Sequence, residues 1–178
     1  NIIFYYAPLI FEKIHVGGSA LFQTLLTGIV NLIFTILAFA LIDRIGRKKL
    51  LLAGSAIMGL SMLLISWFFY NRQLDSLLIL IAIFIYIAAF ASTWGAVLWV
   101  YVAEMFPNRI RGNATSFSVF GNWVANAVIS YTFPMMLSGL GAPVTFLAYG
   151  IINLLIIIFV ARYIFETKGV PLEKIEQL

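Results

Sequence analysis

Four runs of this chain, residues 14–42, 50–71, 76–103 and 112–161, contain no Lys, Arg, Asp or Glu. A helix needs about 20 apolar residues to cross the ~30 Å hydrocarbon core of a bilayer. Each of the first three runs is long enough for one crossing, and the last is long enough for two. The chain is 63% hydrophobic and 10% charged, with mean hydropathy +1.05. A water-soluble domain cannot hide so much apolar surface. The sequence therefore reads as an all-α polytopic membrane protein. The run lengths favour helices over a membrane barrel, whose strands alternate over about 10 residues.

The first apolar segment, residues 1–11, covers only about 16 Å as helix, too short to span. It reads as a partial helix in a chain that begins partway through one. Full helices are expected at about 20–42, 50–70, 77–103, 113–137 and 143–165. Together with residues 1–11 they form one transmembrane bundle over 1–165, followed by a tail at 166–178. Pro107 forces the chain out of helix after the end of the third full element, 77–103.

Nine of the eleven basic residues fall on one side of this scheme: Arg44, Arg47, Lys48, Lys49, Arg109, Arg111, Arg162, Lys168 and Lys174. Lys13 and Arg72 lie on the other. The positive-inside rule then places the nine basic residues and the C-terminus on the cytoplasmic side, and the chain is expected to be a multi-pass protein of the plasma (inner) membrane. The net charge of +4 comes from these loops and implies no nucleic-acid partner. With no cysteine there is no disulfide framework. His15 sits in a polar loop, and no paired carboxylates, nucleophile triad or metal cluster can be assembled. The chain is not expected to be an enzyme or to hold a metal or cofactor.

Polar residues inside the spans form two stripes. Gln23, Thr27, Asn31 and Thr35 recur every four residues, and Thr115, Ser118, Asn122, Asn126 and Ser130 every three or four, which places each set on one helix face. Hydroxyls readily bond their own helix or a neighbouring one. An amide offers two donors and an acceptor, so Asn31, Asn122 and Asn126 call for an external partner. With no ionisable group beside them, that partner reads as a neutral, hydroxyl-rich solute. Trp99 shares a face with Gly95, and Trp123 follows Asn122; an indole offers a flat apolar plate and one donor. Trp94 reads better as a packing residue. Glu104, an acid set against the basic bias, reads as part of an ion-pair network with Arg47 and Arg111.

These motifs resemble the sugar porter family of the major facilitator superfamily, specifically its C-terminal half. Asp43-Arg44-Ile45-Gly46-Arg47-Lys48 resembles the family's D-R-x-G-R-[KR] segment. Trp99, Glu104, Pro107, Arg111 and Gly112 fit a second signature. Glu166-Thr167-Lys168-Gly169 is similar to the P-E-T-K-G tail, and Asn1 to Tyr6 to N-x-x-x-Y-Y. The resemblance is nearest to bacterial xylose–proton symporters, with glucose facilitators next. Two departures stand out: Phe165 replaces the tail proline, and Ala91 lies where glucose facilitators often carry Glu.

The resemblance implies a six-helix half of a twelve-helix fold built from inverted repeats, with the first helix partial here. It implies transport of a monosaccharide, pentose or hexose, by alternating access, with proton symport. Asn1, Asn31, Trp99, Asn122 and Asn126 would face the sugar and Trp123 would flank it. Tyr5 and Tyr6 would belong to an extracellular gate. Asp43, Arg47, Glu104 and Arg111 would form a cytoplasmic charge network. The partners are then the sugar, protons, the bilayer and the missing N-terminal half. The alternatives are a sugar sensor on the same scaffold, disfavoured by the short tail, and a structural membrane protein with no need for the Asn–Trp pair.

Overall fold

The computed structural model describes Ile3, Phe4, Tyr6, residues 20–71 and residues 76–169. Six helices are bounded within the described residues: α1 (Ala20–Ile45), α2 (Arg47–Tyr70), α3 (Ser76–Ser92), α4 (Val97–Met105), α5 (Arg111–Gly139) and α6 (Gly141–Tyr163). Ile3, Phe4 and Tyr6 are also helical. Asn1, Tyr5, Lys13, His15, Arg72 and the tail from residue 170 fall outside the described residues. Described residues include no strand, so the fold is all-α.

Three boundaries differ from expectation. The basic segment after residue 42 is helical except at Gly46, which alone joins α1 to α2 at φ +98°. Only glycine adopts that conformation without strain. Similarly, α5 and α6 are separated by Leu140 alone. The third difference bears on the site: the single helix expected at 77–103 breaks between Ser92 and Val97. There the Gly95 N–H donates to the Phe90 carbonyl at 2.8 Å and Thr93 N–H to the same oxygen at 3.2 Å. A Cβ at Gly95 would press on that carbonyl at 3.2 Å. The Thr93 hydroxyl donates to the Ala89 carbonyl at 2.6 Å, replacing the Thr93 N–H that turns to Phe90 instead.

Among the described residues, four segments are long and apolar enough to cross a membrane: Phe22–Ile45, Arg47–Tyr70, Leu77–Met105 (through the break) and Gly141–Tyr163. Helix α5 has 29 residues, about 43 Å of length, but its polar stripe dilutes its hydropathy. The core forms where α2 packs along α6 and α3, with α1 on α3 and α5 against α6 and α4. Met58, Met62, Ile65, Ile79, Ile83, Ile87, Phe133 and Phe146 fill its centre. Lipid tails give no hydrophobic drive between helices, so close backbone approach through small residues holds them together. Gly59 faces Leu154 and Asn153, Gly150 faces Leu63, and Gly54 receives the Thr93 side chain at the break.

A methyl group at Gly54 would overlap Thr93 Oγ1 and Cβ. Gly54→Ala is expected to destabilise the protein by about 1–3 kcal/mol through overpacking. Adding Thr93→Ala should recover part of that loss in detergent thermal-unfolding measurements. No recovery would mean that the two residues do not meet.

Candidate functional site

The break between α3 and α4 opens a cavity of about 300 Å³ lined by Phe90, Trp94, Gly95, Leu98, Trp99, Asn122 and Asn126. Helices α3 and α4 supply its aromatic wall and α5 its amide wall. Three of the expected residues, Trp99, Asn122 and Asn126, therefore meet around one space. The Asn122 amide and the Trp99 indole N–H make no hydrogen bond among the described residues. The Asn126 Nδ2 donates to the Asn122 carbonyl at 2.9 Å. One amide donor can thus be satisfied within its own helix, contrary to the sequence reading. Asn153 on α6 does the same toward Tyr149.

The other expected site residues are placed differently. Asn31 is half-buried on α1 and is not part of this cavity's lining. Trp123 is 59% exposed and also lies off the lining. Trp94 serves packing and site together: its Nε1 donates to Ser55 Oγ at 2.9 Å and Leu51 O at 3.2 Å, while its ring forms part of the wall. Tyr6 donates its hydroxyl to the Ser130 carbonyl at 2.8 Å and packs on Phe133 with ring centroids 5.0 Å apart.

At the charged end, Arg47 is the hub. Its Nη2 and Nε donate to Glu104 Oε1 and Oε2 at 2.6 and 3.0 Å, a two-pronged pair in which each side chain is mostly buried. Its Nη1 donates to the Ile42 carbonyl at 3.1 Å and pairs with Asp43 at 3.2 Å. Asp43 is 77% exposed, so that second pair is worth only about 0–1 kcal/mol; the Glu104 pair carries the network. Arg111 does not join it. Its Nε donates to the Phe106 carbonyl at 3.3 Å, and its buried Nη2 has no partner among the described residues. The double clamp on Glu104 expected from the sequence is instead completed by Thr167, whose hydroxyl donates to Glu104 Oε2 at 2.6 Å.

Glu166 was quoted in the sequence only as part of a tail motif, yet it closes the joint at Gly46. Its carboxylate accepts from the backbone N–H groups of Arg47, Lys48 and Lys168 at 2.8, 3.2 and 3.1 Å. It thereby caps the N-terminus of α2, where unpaired N–H groups and the helix dipole favour an anion. A Cβ at Gly46 would stand 2.5 Å from Glu166 Oε2, so a larger residue there would push the capping carboxylate aside in addition to straining φ. The opposite ends are matched by cations. Lys168 Nζ donates to the Arg44 carbonyl near the end of α1, and Lys48 Nζ to Ala161 near the end of α6. Each such contact at a helix C-terminus adds about 0.3–1 kcal/mol. Phe165, in place of the family's tail proline, packs edge-on against Tyr101 at 5.9 Å.

The model of the sugar (and other) transporter family matches residues 1–178. The chain belongs to that family. It is 37% identical to the D-xylose-proton symporter of Escherichia coli, over 100% of this chain and 38% of the relative. Against the glucose facilitated diffusion protein of Zymomonas mobilis it is 36% identical, over 100% of this chain and 39% of the relative. The solved structure of the major facilitator superfamily proton:xylose symporter XylE bound to 6-bromo-6-deoxy-D-glucose superposes with TM-score 0.89. Identity to it is 37%, with 99% of this chain and 38% of that one covered. The chain thus spans somewhat over a third of the length of these relatives, matching their C-terminal half. The family is one of integral membrane transporters, not enzymes.

Burial pushes the Glu166 carboxyl up, but the N–H donors of Lys168, Arg47 and Lys48 and the charge of Arg47 outweigh it and hold the group below its ordinary range. A carboxyl lowered on folding adds stability above its unfolded pKa and loses that contribution as pH falls through its folded value. Glu166→Gln should therefore lower the thermal midpoint at about pH 6. The gap to wild type should close as the pH falls below the ordinary carboxylate range. A gap that stays constant to about pH 3 would show that Glu166 does not act as an ionised cap.

Proposed function

We propose that this chain supplies one half of a monosaccharide transporter working by alternating access, with the cavity between Trp99 and the amides of Asn122 and Asn126 as its share of the sugar site. The observation that carries this is the meeting of an apolar indole plate, a free indole N–H and an unsatisfied amide in one small space. A sugar presents the complementary surface, with C–H faces for the ring and hydroxyls for the amide. The volume, about 300 Å³, lies at the small end of the range for small-molecule sites. Family membership supports the same reading, since the relatives are named for xylose, arabinose and glucose.

The break at 92–97 fits this role. In transporters, substrate sites are typically formed where membrane helices are interrupted, because unwound backbone is tolerated where it lines a cavity. The charged end holds the ends of α1, α2, α4 and α6 together through Arg47, Glu104, Glu166 and Thr167. It acts as a junction that lets the half move as a unit. The orientation follows the basic residues, with that end and the C-terminus cytoplasmic in the plasma (inner) membrane.

Proton symport is the finer reading. Among the described residues, Asp43, Glu104 and Glu166 all lie at the charged end; in this reading the carboxylate that carries the proton is placed in the other half. Asn1 and Asn31 complete the sugar-facing set in this scheme, and Tyr5 and Tyr6 the gate.

In the whole transporter, Asn122→Ala is expected to weaken D-xylose or D-glucose binding by about 1–3 kcal/mol, the cost of a lost buried hydrogen bond. Calorimetric titration of the folded protein checks it, and unchanged affinity removes Asn122 from the site.

The two tryptophans should separate. Trp99→Ala should reduce affinity with little loss of stability. Trp94→Ala should mainly lower the unfolding midpoint, because its N–H is already engaged with Ser55 and Leu51. Parallel losses in both measurements would reduce Trp99 to a packing residue.

A further inference from the structure

Helix α5 carries the amide wall yet is weakly held: of its 29 residues, Phe133 alone is buried. Phe133 is gripped by three rings, those of Tyr6, Phe146 and Tyr149, with centroids 5.0, 6.2 and 5.9 Å away. The next residue, Pro134, lies inside the helix. Proline has no N–H, so the carbonyl four residues earlier loses its helical donor. That carbonyl belongs to Ser130, and it is the oxygen that receives the Tyr6 hydroxyl at 2.8 Å. Asn122, Asn126 and Ser130 follow at intervals of four and so share one face of α5. The Tyr6 contact thus falls one turn beyond Asn126, at the edge of the amide wall.

We infer that Pro134 and Tyr6 form a matched latch: the proline frees the Ser130 carbonyl, the tyrosine takes it, and the bond fixes the position of the Asn122 and Asn126 wall opposite Trp99. Tyr6 is a positioning residue that acts through α5, not a sugar contact. The part concerning the wall rests on the sugar-site reading above; the bond itself does not. Removing the hydroxyl leaves a carbonyl with neither its helical donor nor its tyrosine. Restoring an N–H at position 134 gives that carbonyl a partner again, so the second change should relieve the first.

The test is a double-mutant cycle in the whole protein with Tyr6→Phe and Pro134→Ala, read in two ways. Thermal unfolding needs no ligand. Tyr6→Phe should lower the midpoint clearly in the wild-type background and far less beside Pro134→Ala. Additive shifts would overturn the latch. Calorimetric titration with D-xylose and with D-glucose reads the wall. Tyr6→Phe should weaken affinity for the bound sugar about threefold to tenfold, the equivalent of one hydrogen bond, and Pro134→Ala should restore part of it. Coupled stability with unchanged sugar affinity would overturn the positioning role while leaving the sugar site intact. If the wild type binds neither sugar, the transport reading fails and the positioning role fails with it. The unfolding cycle still decides whether the bond and the proline are coupled.

Discussion

Arg47 is the group on which the charged end of this bundle depends. A guanidinium that is only 11% exposed must have its donors met, and its partners come from two other helices. Glu104 ends α4, Asp43 and the Ile42 carbonyl belong to the last turn of α1, and Arg47 itself opens α2. Replacing either Arg47 or Glu104 would leave a mostly buried charge without its main partner, which costs more than the intact pair contributes. Glu166 and Thr167 extend the same junction to the segment after α6. Four helix ends are therefore joined by hydrogen bonds, and at three of them a partner's charge matches the helix dipole: Glu166 at the start of α2, Lys168 at the end of α1 and Lys48 at the end of α6.

The consequence reaches into the apolar interior. Helix α4 is only nine residues long and is cut off from α3 by the break at Gly95, so neither length nor continuity holds it. Glu104 pins its far end, and Trp99 stands five residues earlier on the same short helix. The opposite wall is carried by α5, whose one buried residue is Phe133. The two walls thus have separate anchors: the aromatic wall is held by the Arg47–Glu104 pair, the Trp94 indole bonds and buried Val97 and Tyr101, and the amide wall by the ring cluster at Phe133 and the Tyr6 bond. Two walls with separate anchors can change their separation without unfolding either one, which suits a site that must bind and release.

The sequence was informative where physics leaves one choice. Charge-free runs of more than 20 residues can only be membrane helices, and Glu104 amid basic residues had to be paired. The recurrence of Asn122 and Asn126 at one-turn spacing was enough to put them on one wall. The break at Ser92–Val97 was not legible, because Thr93, Trp94 and Gly95 are all tolerated inside a helix and the apolar pattern runs through them. The tight joint at Gly46 was hidden for a related reason. Five charged residues around a glycine read as a loop, whereas Glu166, more than a hundred residues away, supplies the cap that keeps both flanks helical. Arg111 shows the limit of motif reading. It lies in the right order along the chain, but its guanidinium turns to the Phe106 carbonyl, and Thr167 takes the place expected for it on Glu104.

The account stands on a sugar occupying the space between Trp99 and the α5 amides. The chain has four tryptophans, so the whole transporter can be made with Trp99 as its single indole by changing every other tryptophan to Phe. Its emission, followed while D-xylose or D-glucose is added, reports on the cavity itself. A saturable change with the same midpoint as transport by that variant is the predicted result. Emission that stays flat while the variant still transports the sugar would place the site elsewhere and contradict the account.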